Sequence, residues 1–271
     1  MNIQPESEPI DQLRHRIAAI ERLRPVQSHD RISMGHAGID RALGGGLLRG
    51  RLHEFYAIDA ADASSATGFA GMLAIRLGGG ILWMRETRAE RQGGVLHAAG
   101  MVEIGVDPGR MIVALLPDTL SVLRAAADVV RCDGVGVAVI EVHRDPAVLD
   151  LTASRRLTLA AEESGVAVLL LRIAGTPGPS AAETRWAVRS AASLPLEANA
   201  PGHPMLDIEL LRQRGRAAGG CWQVEWNREQ ANFRSADIDA DIDAPPLSGT
   251  VVSISGDGPF VADAAPIRRT G

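Results

Sequence analysis

The chain has 271 residues, of which 46% are hydrophobic and only 3% are aromatic, so aliphatic side chains must fill the core of one α/β domain or two small ones. The formal net charge of −5 excludes a protein that coats DNA through an overall positive charge, but it leaves room for a local basic face. All 28 basic residues are arginines, which excludes every mechanism that requires a lysine side chain.

The cysteines and the apolar runs indicate the cellular compartment of the protein. Cys132 and Cys221 are far apart and form no Cys-x-x-Cys motif, which argues against a disulfide framework or a zinc site. The first residues show no basic stretch followed by an apolar run, so we expect no signal peptide. No apolar run approaches the roughly 20 residues that a membrane span needs. We therefore expect a cytoplasmic protein without a membrane segment or a metal site.

Residues 1–35 are predicted to form a helical arm. Four apolar residues recur there at steps of three and four, which places them on one stripe of a helix. The stripe consists of Ile10, Leu13, Ile17 and Ile20. Such a narrow stripe either packs on the chain's own domain or docks on a partner, and the sequence leaves both possibilities open.

Residues 36–234 are predicted to form an α/β core. Short apolar runs alternate with stretches of helical length, which is typical of βαβ units whose parallel sheet is covered by helices on both faces. The predicted strands are residues 51–57, 81–84, 111–116, 136–141 and 166–172. The predicted helices are residues 67–77, 118–131 with Asp118 as N-cap, and 146–164, with a further helical stretch near Val95.

The pattern changes towards the end of the chain. Residues 184–190 alternate as in a strand, and apolar runs at 206–211 and 221–226 flank a loop rich in glycine and arginine, which predicts a β-hairpin. Residues 235–271 are rich in Asp, Gly, Pro and Ser and have no helical period, which favours an acidic, disordered tail. The alternating aspartates of this tail lack the glycine and the glutamate that an EF-hand loop requires.

A glycine-rich turn, the strand GRLHEFY, a loop and a helix follow one another in the order in which a RecA-type ATPase core begins. In that core the loop is the P-loop, whose backbone N–H groups and lysine bind the phosphates of ATP. Relative to the P-loop pattern, Ser64 replaces a glycine, Ser65 the lysine and Ala66 the hydroxyl residue that binds magnesium. Asp59 and Asp62 would add negative charge near the phosphates. The sequence therefore predicts a degenerate P-loop that binds no ATP and no other cofactor.

Two acidic residues match functional positions of the same core. Glu86, which ends the run LWMRE, matches the place of the catalytic glutamate, and Glu141, which ends VAVIE, matches the place of the Walker B aspartate. Without a phosphate-binding loop, neither carboxylate can direct water at a γ-phosphate, so both are interpreted as vestigial. The alternative is that each carboxylate simply forms an ion pair with a nearby arginine.

Four segments carry a resemblance to a family: GGGLLRGRLHEFY, DLTASRRLTLAAEESGVAVLLLR, PSAAETRWAVRSAAS and CWQVEWN. They resemble the ImuA family, RecA/SulA-like accessory proteins of the bacterial SOS-inducible mutagenesis cassette, over roughly residues 30–234. The resemblance implies a RecA-like fold with a mainly parallel sheet and a C-terminal β-hairpin. It also implies a non-catalytic adaptor of error-prone translesion DNA synthesis. The implied partners are an ImuB-like Y-family polymerase homologue and a C-family error-prone DNA polymerase, with RecA or a second copy as further possibilities.

Two other functions remain open: a SulA-type cell-division inhibitor, and a RecA-like ATPase with a divergent nucleotide site. Arginine clusters add two candidate surfaces, because the planar guanidinium suits phosphate and carboxylate partners. The candidate DNA contacts are Arg155, Arg156, Arg185, Arg189 and Arg216. The candidate partner contacts, besides the arm, are Arg212 and Arg214 in the hairpin loop. The competing interpretation of these arginines is that they are solvated or form intrachain ion pairs.

Overall fold

The computed structural model describes residues 31–193, 195–196, 200, 202–216 and 219–236, with the side chains of all but residues 91–93. The stripe of the predicted arm and nearly all of the predicted tail lie outside these residues, so both stay predictions. Among the described helices, none has the length and the apolar character needed to cross a bilayer.

Eleven strands can be assigned within the described residues, and nine of them form one sheet. A separate antiparallel pair consists of β1 (Arg31–Ile32) and β2 (Leu47–Leu48). The strands of the large sheet are β3 (Leu52–Ala57), β4 (Gly80–Glu86), β5 (Met111–Leu116), β6 (Val135–His143), β7 (Ala167–Ile173), β8 (Thr184–Ser190), β9 (Met205–Gln213), β10 (Cys221–Asn227) and β11 (Asn232–Ser235).

The large sheet has a parallel part and an antiparallel part. Six parallel strands stand in the order β8-β3-β7-β6-β4-β5, so that β5 forms one edge of the sheet. Strands β9, β10 and β11 continue the sheet beyond β8 in antiparallel fashion. Because β3 directly precedes β4 in the large sheet's chain order but β7 and β6 lie between them in the sheet, the connection from β3 to β4 crosses over a face of the sheet. Such a switch in strand order is where α/β sheets form ligand clefts.

Helices cover both faces of the parallel part. They are α1 (Ala37–Leu43), α2 (Ala63–Leu77), α3 (Thr87–Gly93), α4 (Ala98–Glu103), α5 (Thr119–Val129) and α6 (Leu151–Ser164). Asp118 and Asp150 begin α5 and α6 by accepting a hydrogen bond from the backbone N–H three residues later, which satisfies a donor that the helix leaves unpaired. Gly165 ends α6 in the left-handed conformation, with φ of 79°.

Each face of the sheet has its own apolar core. Phe55, Trp83 and Trp186 belong to the core beneath α2, and the core beneath α5 and α6 includes Ile140 and Leu170. Because successive side chains of a strand point to opposite faces, a strand covered on both sides must be apolar throughout. This explains the uninterrupted apolar runs of β6 and β7.

The fold class predicted from the sequence is confirmed, and several element boundaries are also correct. Strands β5 and β8 have the predicted bounds, and Asp118 is the predicted N-cap of its helix. The predicted hairpin is present, because β9 and β10 pair in antiparallel fashion. Strand β11 was not predicted. Four residues, 232–235, are too few to show a clear alternation of polar and apolar side chains.

Two helices begin elsewhere than predicted. Helix α6 begins at Leu151 instead of residue 146, since Asp150 supplies the N-cap. Helix α2 begins at Ala63 instead of residue 67, so the segment predicted as the end of a loop is helical. Near Val95 the chain forms two short helices, α3 and α4, with Val95 itself between them.

The described chain already contacts the core before residue 36. Arg31 pairs with Leu48 in the β1–β2 ladder, and Met34 is 1% exposed within the core beneath α2. Phe233 donates its backbone N–H to the Met34 carbonyl at 3.0 Å, which joins this segment to β11. The division into an arm, a core and a tail at residues 35 and 234 stays a prediction.

Candidate functional site

A cleft of about 290 Å³ opens at the carboxyl ends of the parallel strands, next to the start of α2. Its lining includes the first turns of α2, the last residues of β4, β6 and β7, and the segment that leads into α4. By its place in the sequence, the connection between β3 and α2 corresponds to the P-loop of a RecA-type core. The cleft therefore lies where a RecA-type core would bind a nucleotide.

The connection between β3 and α2 is a short 3₁₀ turn, Ala60–Asp62, that leads directly into the helix. The Asp59 carboxylate accepts a hydrogen bond from the Ala61 N–H at 2.9 Å. The Asp62 carboxylate accepts two hydrogen bonds from Ser190, at 2.8 Å from the backbone N–H and at 2.9 Å from the hydroxyl. Neither aspartate is among the described residues that line the cleft. Both carboxylates thus take part in local structure, and their effect on phosphate binding stays a prediction.

Ser64, Ser65 and Ala66 lie in the first turn of α2 instead of a loop. Ser64 is exposed and lines the cleft, whereas Ala66 is fully buried in the core beneath α2. Thr67, one turn further, also lines the cleft. The start of the helix thus offers two hydroxyl groups but no side-chain cation, and the lysine that would compensate a triphosphate is missing.

Buried polar side chains form the floor of the cleft. Glu141 is 2% exposed. It accepts a hydrogen bond from the indole N–H of Trp83 at 2.9 Å and forms an ion pair with the guanidinium of Arg85 at 2.9 Å. His143 Nε2 lies 3.3 Å from the same carboxylate. Arg85 and Glu141 occupy facing positions of β4 and β6, so the sheet register brings them together. The alternative interpretation of Glu141, an ion pair with a nearby arginine, is thus the observed one.

Arg85 is the only arginine among the described residues that line the cleft. Its side chain is 4% exposed, and its Nε atom has no hydrogen-bond partner. Because Glu141 already neutralises its charge, Arg85 does not replace the missing P-loop lysine. Glu86, the other predicted vestigial residue, accepts a hydrogen bond from the Thr119 hydroxyl at the start of α5 and not from an arginine.

Comparison with known proteins agrees with this architecture. The sequence matches no protein-family model and none of the curated proteins. Among solved structures, the chain is similar to the RadB recombinase, with a TM-score of 0.50 and 15% identity over 76% of this chain and 100% of that chain. The chain has a RecA-like fold. At this level of identity the likeness extends to the fold alone, so activity has to be argued from the site.

A second buried polar group lies on the opposite face of the RecA-like sheet, and the sequence analysis did not predict it. Glu54 is 1% exposed and accepts hydrogen bonds from the Ser180 hydroxyl at 2.7 Å and from Arg185 Nε at 3.0 Å. Arg185 occupies the position of β8 that faces Glu54 in β3. The clue in the sequence was the carboxylate in the middle of the apolar run LHEFYA, since charged residues are rarely buried unless they are paired.

The same group continues toward β7. The hydroxyl of Tyr56 donates to Glu54 at 3.3 Å and accepts from Arg172 at 3.2 Å. Arg172 also pairs with Asp145 at 2.6 Å, and its guanidinium lies 5.3 Å from the centre of the Tyr56 ring. Burial, together with the nearby Glu54 charge, raises the pKa of Tyr56, so the phenol stays protonated. This network holds the connection between β7 and β8 against the sheet.

The structure separates the five candidate DNA contacts. Arg155 and Arg156 are exposed on α6 and remain candidates. The Arg185 side chain is 11% exposed and bound to Glu54, which speaks against a DNA contact. Arg189 is exposed but lies 3.9 Å from Glu209, and Arg216 is exposed with its guanidinium against Gly44 at the end of α1. The five residues therefore do not form one uniform basic surface.

The two candidate partner contacts of the hairpin are both exposed, but only Arg214 lies in the predicted loop, because β9 extends to Gln213 and includes Arg212. Arg212 donates to the Ser180 carbonyl at 3.0 Å, so it also supports the connection between β7 and β8. Arg214 is 60% exposed and lies 3.9 Å from Glu162 of α6. A partner contact by either arginine stays a prediction. Within the described residues, no group of three or more potential metal ligands comes together.

Proposed function

We propose that this protein is a non-catalytic RecA-like adaptor of error-prone translesion DNA synthesis that acts through protein–protein contacts. The proposed partners are an ImuB-like Y-family polymerase homologue and a C-family error-prone DNA polymerase. The choice of this system rests on the sequence resemblance to the ImuA family. The RecA-like fold is compatible with the proposal but also occurs with other functions.

One observation carries the non-catalytic part of the proposal. In the first turn of α2, beside the cleft that would hold a nucleotide, Ser65 occupies the sequence position of the phosphate-binding lysine, and the chain contains no lysine. The arginine nearest to that role, Arg85, is buried and bound to Glu141. Phosphoryl transfer depends on cations that stabilise the charge of the transferred group. We therefore expect neither tight ATP binding nor hydrolysis.

Calorimetry with Mg-ATP tests this part of the proposal. We expect no heat beyond dilution at protein concentrations of tens of micromolar. Two results would overturn it: a micromolar dissociation constant, or an ATPase activity that disappears in Glu86→Gln. A cell-division inhibitor would instead bind a division protein, which the same titration format can measure.

Co-purification tests the adaptor part. The chain, co-expressed with the two polymerase-type proteins, should purify with at least the ImuB-like one, whether or not Mg-ATP is present. Leu13→Asp combined with Ile17→Asp should abolish this association if the arm provides the contact, because each buried aliphatic side chain contributes about 1.5–3 kcal/mol. The matched control is Leu151→Asp with Leu159→Asp, which adds the same charges to two exposed positions of α6.

Three outcomes separate the alternatives. Loss of binding in the arm variant, with an unchanged melting temperature, supports a docking arm. A loss of several degrees in melting temperature shows that the arm packs on its own domain instead. If the unmodified chain purifies with neither polymerase-type protein, the adaptor function is wrong.

A further inference from the structure

Two arginines meet at the end of the parallel strands that lies opposite the cleft. Arg51 directly precedes β3, and Arg214 directly follows β9, whose last residue, Gln213, faces Thr184 at the start of β8. Arg51 forms an ion pair with Glu162 at 2.5 Å, and Arg214 lies 3.9 Å from the same carboxylate. One carboxylate therefore serves two arginines, which leaves positive charge at this end of the strands.

More arginines surround the glycine-rich turn that follows α1. Arg31 donates to the Leu43 carbonyl at 2.7 Å, at the helix end where the backbone carries partial negative charge. The Arg216 guanidinium lies so close to Gly44 that a Cβ atom there would clash with it. Gln213 Nε2 donates to the same Leu43 carbonyl at 3.4 Å. The turn and the end of β9 therefore belong to one continuous surface.

The charge of this surface is only partly compensated. Arg41, in the last turn of α1, and Arg216, in the loop between β9 and β10, are both exposed. Neither forms an ion pair with another described residue. The five arginines of this surface are called the arginine patch below: Arg31, Arg41, Arg51, Arg214 and Arg216.

The polarity of the arginine patch indicates the kind of partner it suits. Residues 31–51 and 205–216, which supply the patch, are all described, and they expose no large hydrophobic side chain. Interfaces between proteins usually have an apolar centre rich in aromatic side chains. Interfaces with DNA are more polar and much more positively charged. The patch therefore resembles a surface for nucleic acid more than a surface for a protein partner.

We propose that the arginine patch binds the phosphate backbone of DNA, at a site separate from the cleft. A guanidinium binds two phosphate oxygens at once through its planar fork. Gly44, Gly45 and Gly215 are exposed between the arginines, and because they have no side chain, a phosphate backbone can approach closely. Contacts of this kind position a protein on DNA without reading its sequence. The proposal does not depend on the adaptor function.

Fluorescence anisotropy with labelled duplex DNA tests the proposal through its dependence on salt. Two duplexes of unrelated sequence should bind equally tightly. The slope of log affinity against log salt is about −0.9 for each phosphate contact, hence about −4.5 if all five arginines take part. Arg41→Gln with Arg214→Gln and Arg216→Gln removes three contacts and should leave a slope of about −1.8. Arg31 and Arg51 are kept because they bind Leu43 and Glu162.

Two further variants separate a phosphate contact from a general effect of charge or folding. Lysine at the same three positions keeps the charges, so the slope should stay near that of the unmodified chain even if the affinity falls. Arg88→Gln with Arg124→Gln and Arg228→Gln removes three exposed arginines outside the patch. This control should change neither the affinity nor the slope.

Poly-glutamate and phosphatidylserine vesicles are titrated alongside the DNA. Three results with DNA would overturn the proposal: no binding at about 50 mM salt, a slope that the glutamine variant of the patch leaves unchanged, or an equal loss in the control outside the patch. If poly-glutamate or the vesicles bind as tightly as DNA through the same arginines, the patch serves an acidic protein or a membrane and the proposal is wrong. The lysine variant keeps the test informative even if the glutamine variant fails to fold.

Discussion

Two buried arginine–glutamate pairs lie on opposite faces of one sheet, and they differ in what covers them. Arg85–Glu141 lies on the floor of the open cleft, whereas Arg185–Glu54 lies under the connection between β7 and β8, with Ser180 in contact. In both pairs the two residues occupy facing positions of neighbouring parallel strands. Similar local chemistry thus occurs in an open setting and in a closed one.

The difference shows that the surroundings of a buried ion pair decide whether the pair only supports the structure or also borders a space that a ligand can enter. Ser180 and Tyr56 add hydrogen bonds to Glu54, which makes the closed pair part of the structure that holds a long connection in place. The open pair borders space that water or a ligand can fill. The Arg85 side chain is 4% exposed and that of Arg185 11%, so the present exposure does not distinguish the pairs. The open pair is expected to be the less costly one to break because the adjoining cleft lets water reach the arginine once its partner is removed.

The largest effect is expected for Glu54→Ala. This change leaves the largely buried Arg185 guanidinium, 11% exposed, without its counter-charge and removes the acceptor of Ser180 and Tyr56, so the free energy of unfolding should fall by about 3–5 kcal/mol. Denaturant unfolding measures the change. The control is Arg189→Ala, since that side chain is 56% exposed and 3.9 Å from Glu209, and such surface pairs contribute at most about 1 kcal/mol. If Glu54→Ala and Arg189→Ala lower the free energy of unfolding equally, then the Arg185–Glu54 pair is no more important for stability than a surface pair.

A smaller effect is expected from His53, a third buried polar group of the sheet. Its Nε2 donates to the Leu48 carbonyl at 2.8 Å and its Nδ1 accepts from the Thr184 hydroxyl at 2.7 Å, as a neutral ring does. Burial lowers the pKa of His53 from 6.5 to about 4. Because the unfolded chain binds the proton more readily, stability is full above pH 6.5 and falls as the pH drops towards 4.

Comparison with His53→Gln isolates this contribution. Between pH 7 and pH 4 the unmodified chain should lose about 3 kcal/mol more stability than the variant, because glutamine does not titrate. Denaturant unfolding at several pH values measures both proteins. If the free energy of unfolding changes with pH in the same way in both proteins, then the fold does not keep the His53 ring neutral.

The smallest of these effects is expected for Glu141→Ala. The variant leaves Arg85 without a partner, but water in the cleft can solvate part of the guanidinium, so the loss should be about 1–3 kcal/mol. If Glu141→Ala costs as much as Glu54→Ala, the distinction between an open and a closed pair fails. Glu141→Gln, which keeps an acceptor for Trp83 and Arg85, should cost less than Glu141→Ala.

The sequence determined the local structure because local structure follows from short-range patterns. Strands β5 and β8 were located from runs of apolar or alternating residues, and Asp118 was located as an N-cap from its place before a helical stretch. The continuous apolar runs of β6 and β7 also predicted a sheet covered on both faces. The loss of the P-loop lysine needed only the composition of the chain.

Tertiary structure decided which polar residues meet. The Asp62 carboxylate accepts a hydrogen bond from Ser190, 128 positions away, and is not among the described residues that line the cleft. Glu54 meets Arg185 only because β3 and β8 are neighbours in that register. Periodicity reports which face of a strand is buried, but the order of strands depends on crossing connections that no local pattern encodes. For this reason the fold was predictable from the sequence, whereas the division of arginines into buried partners and exposed candidates was not.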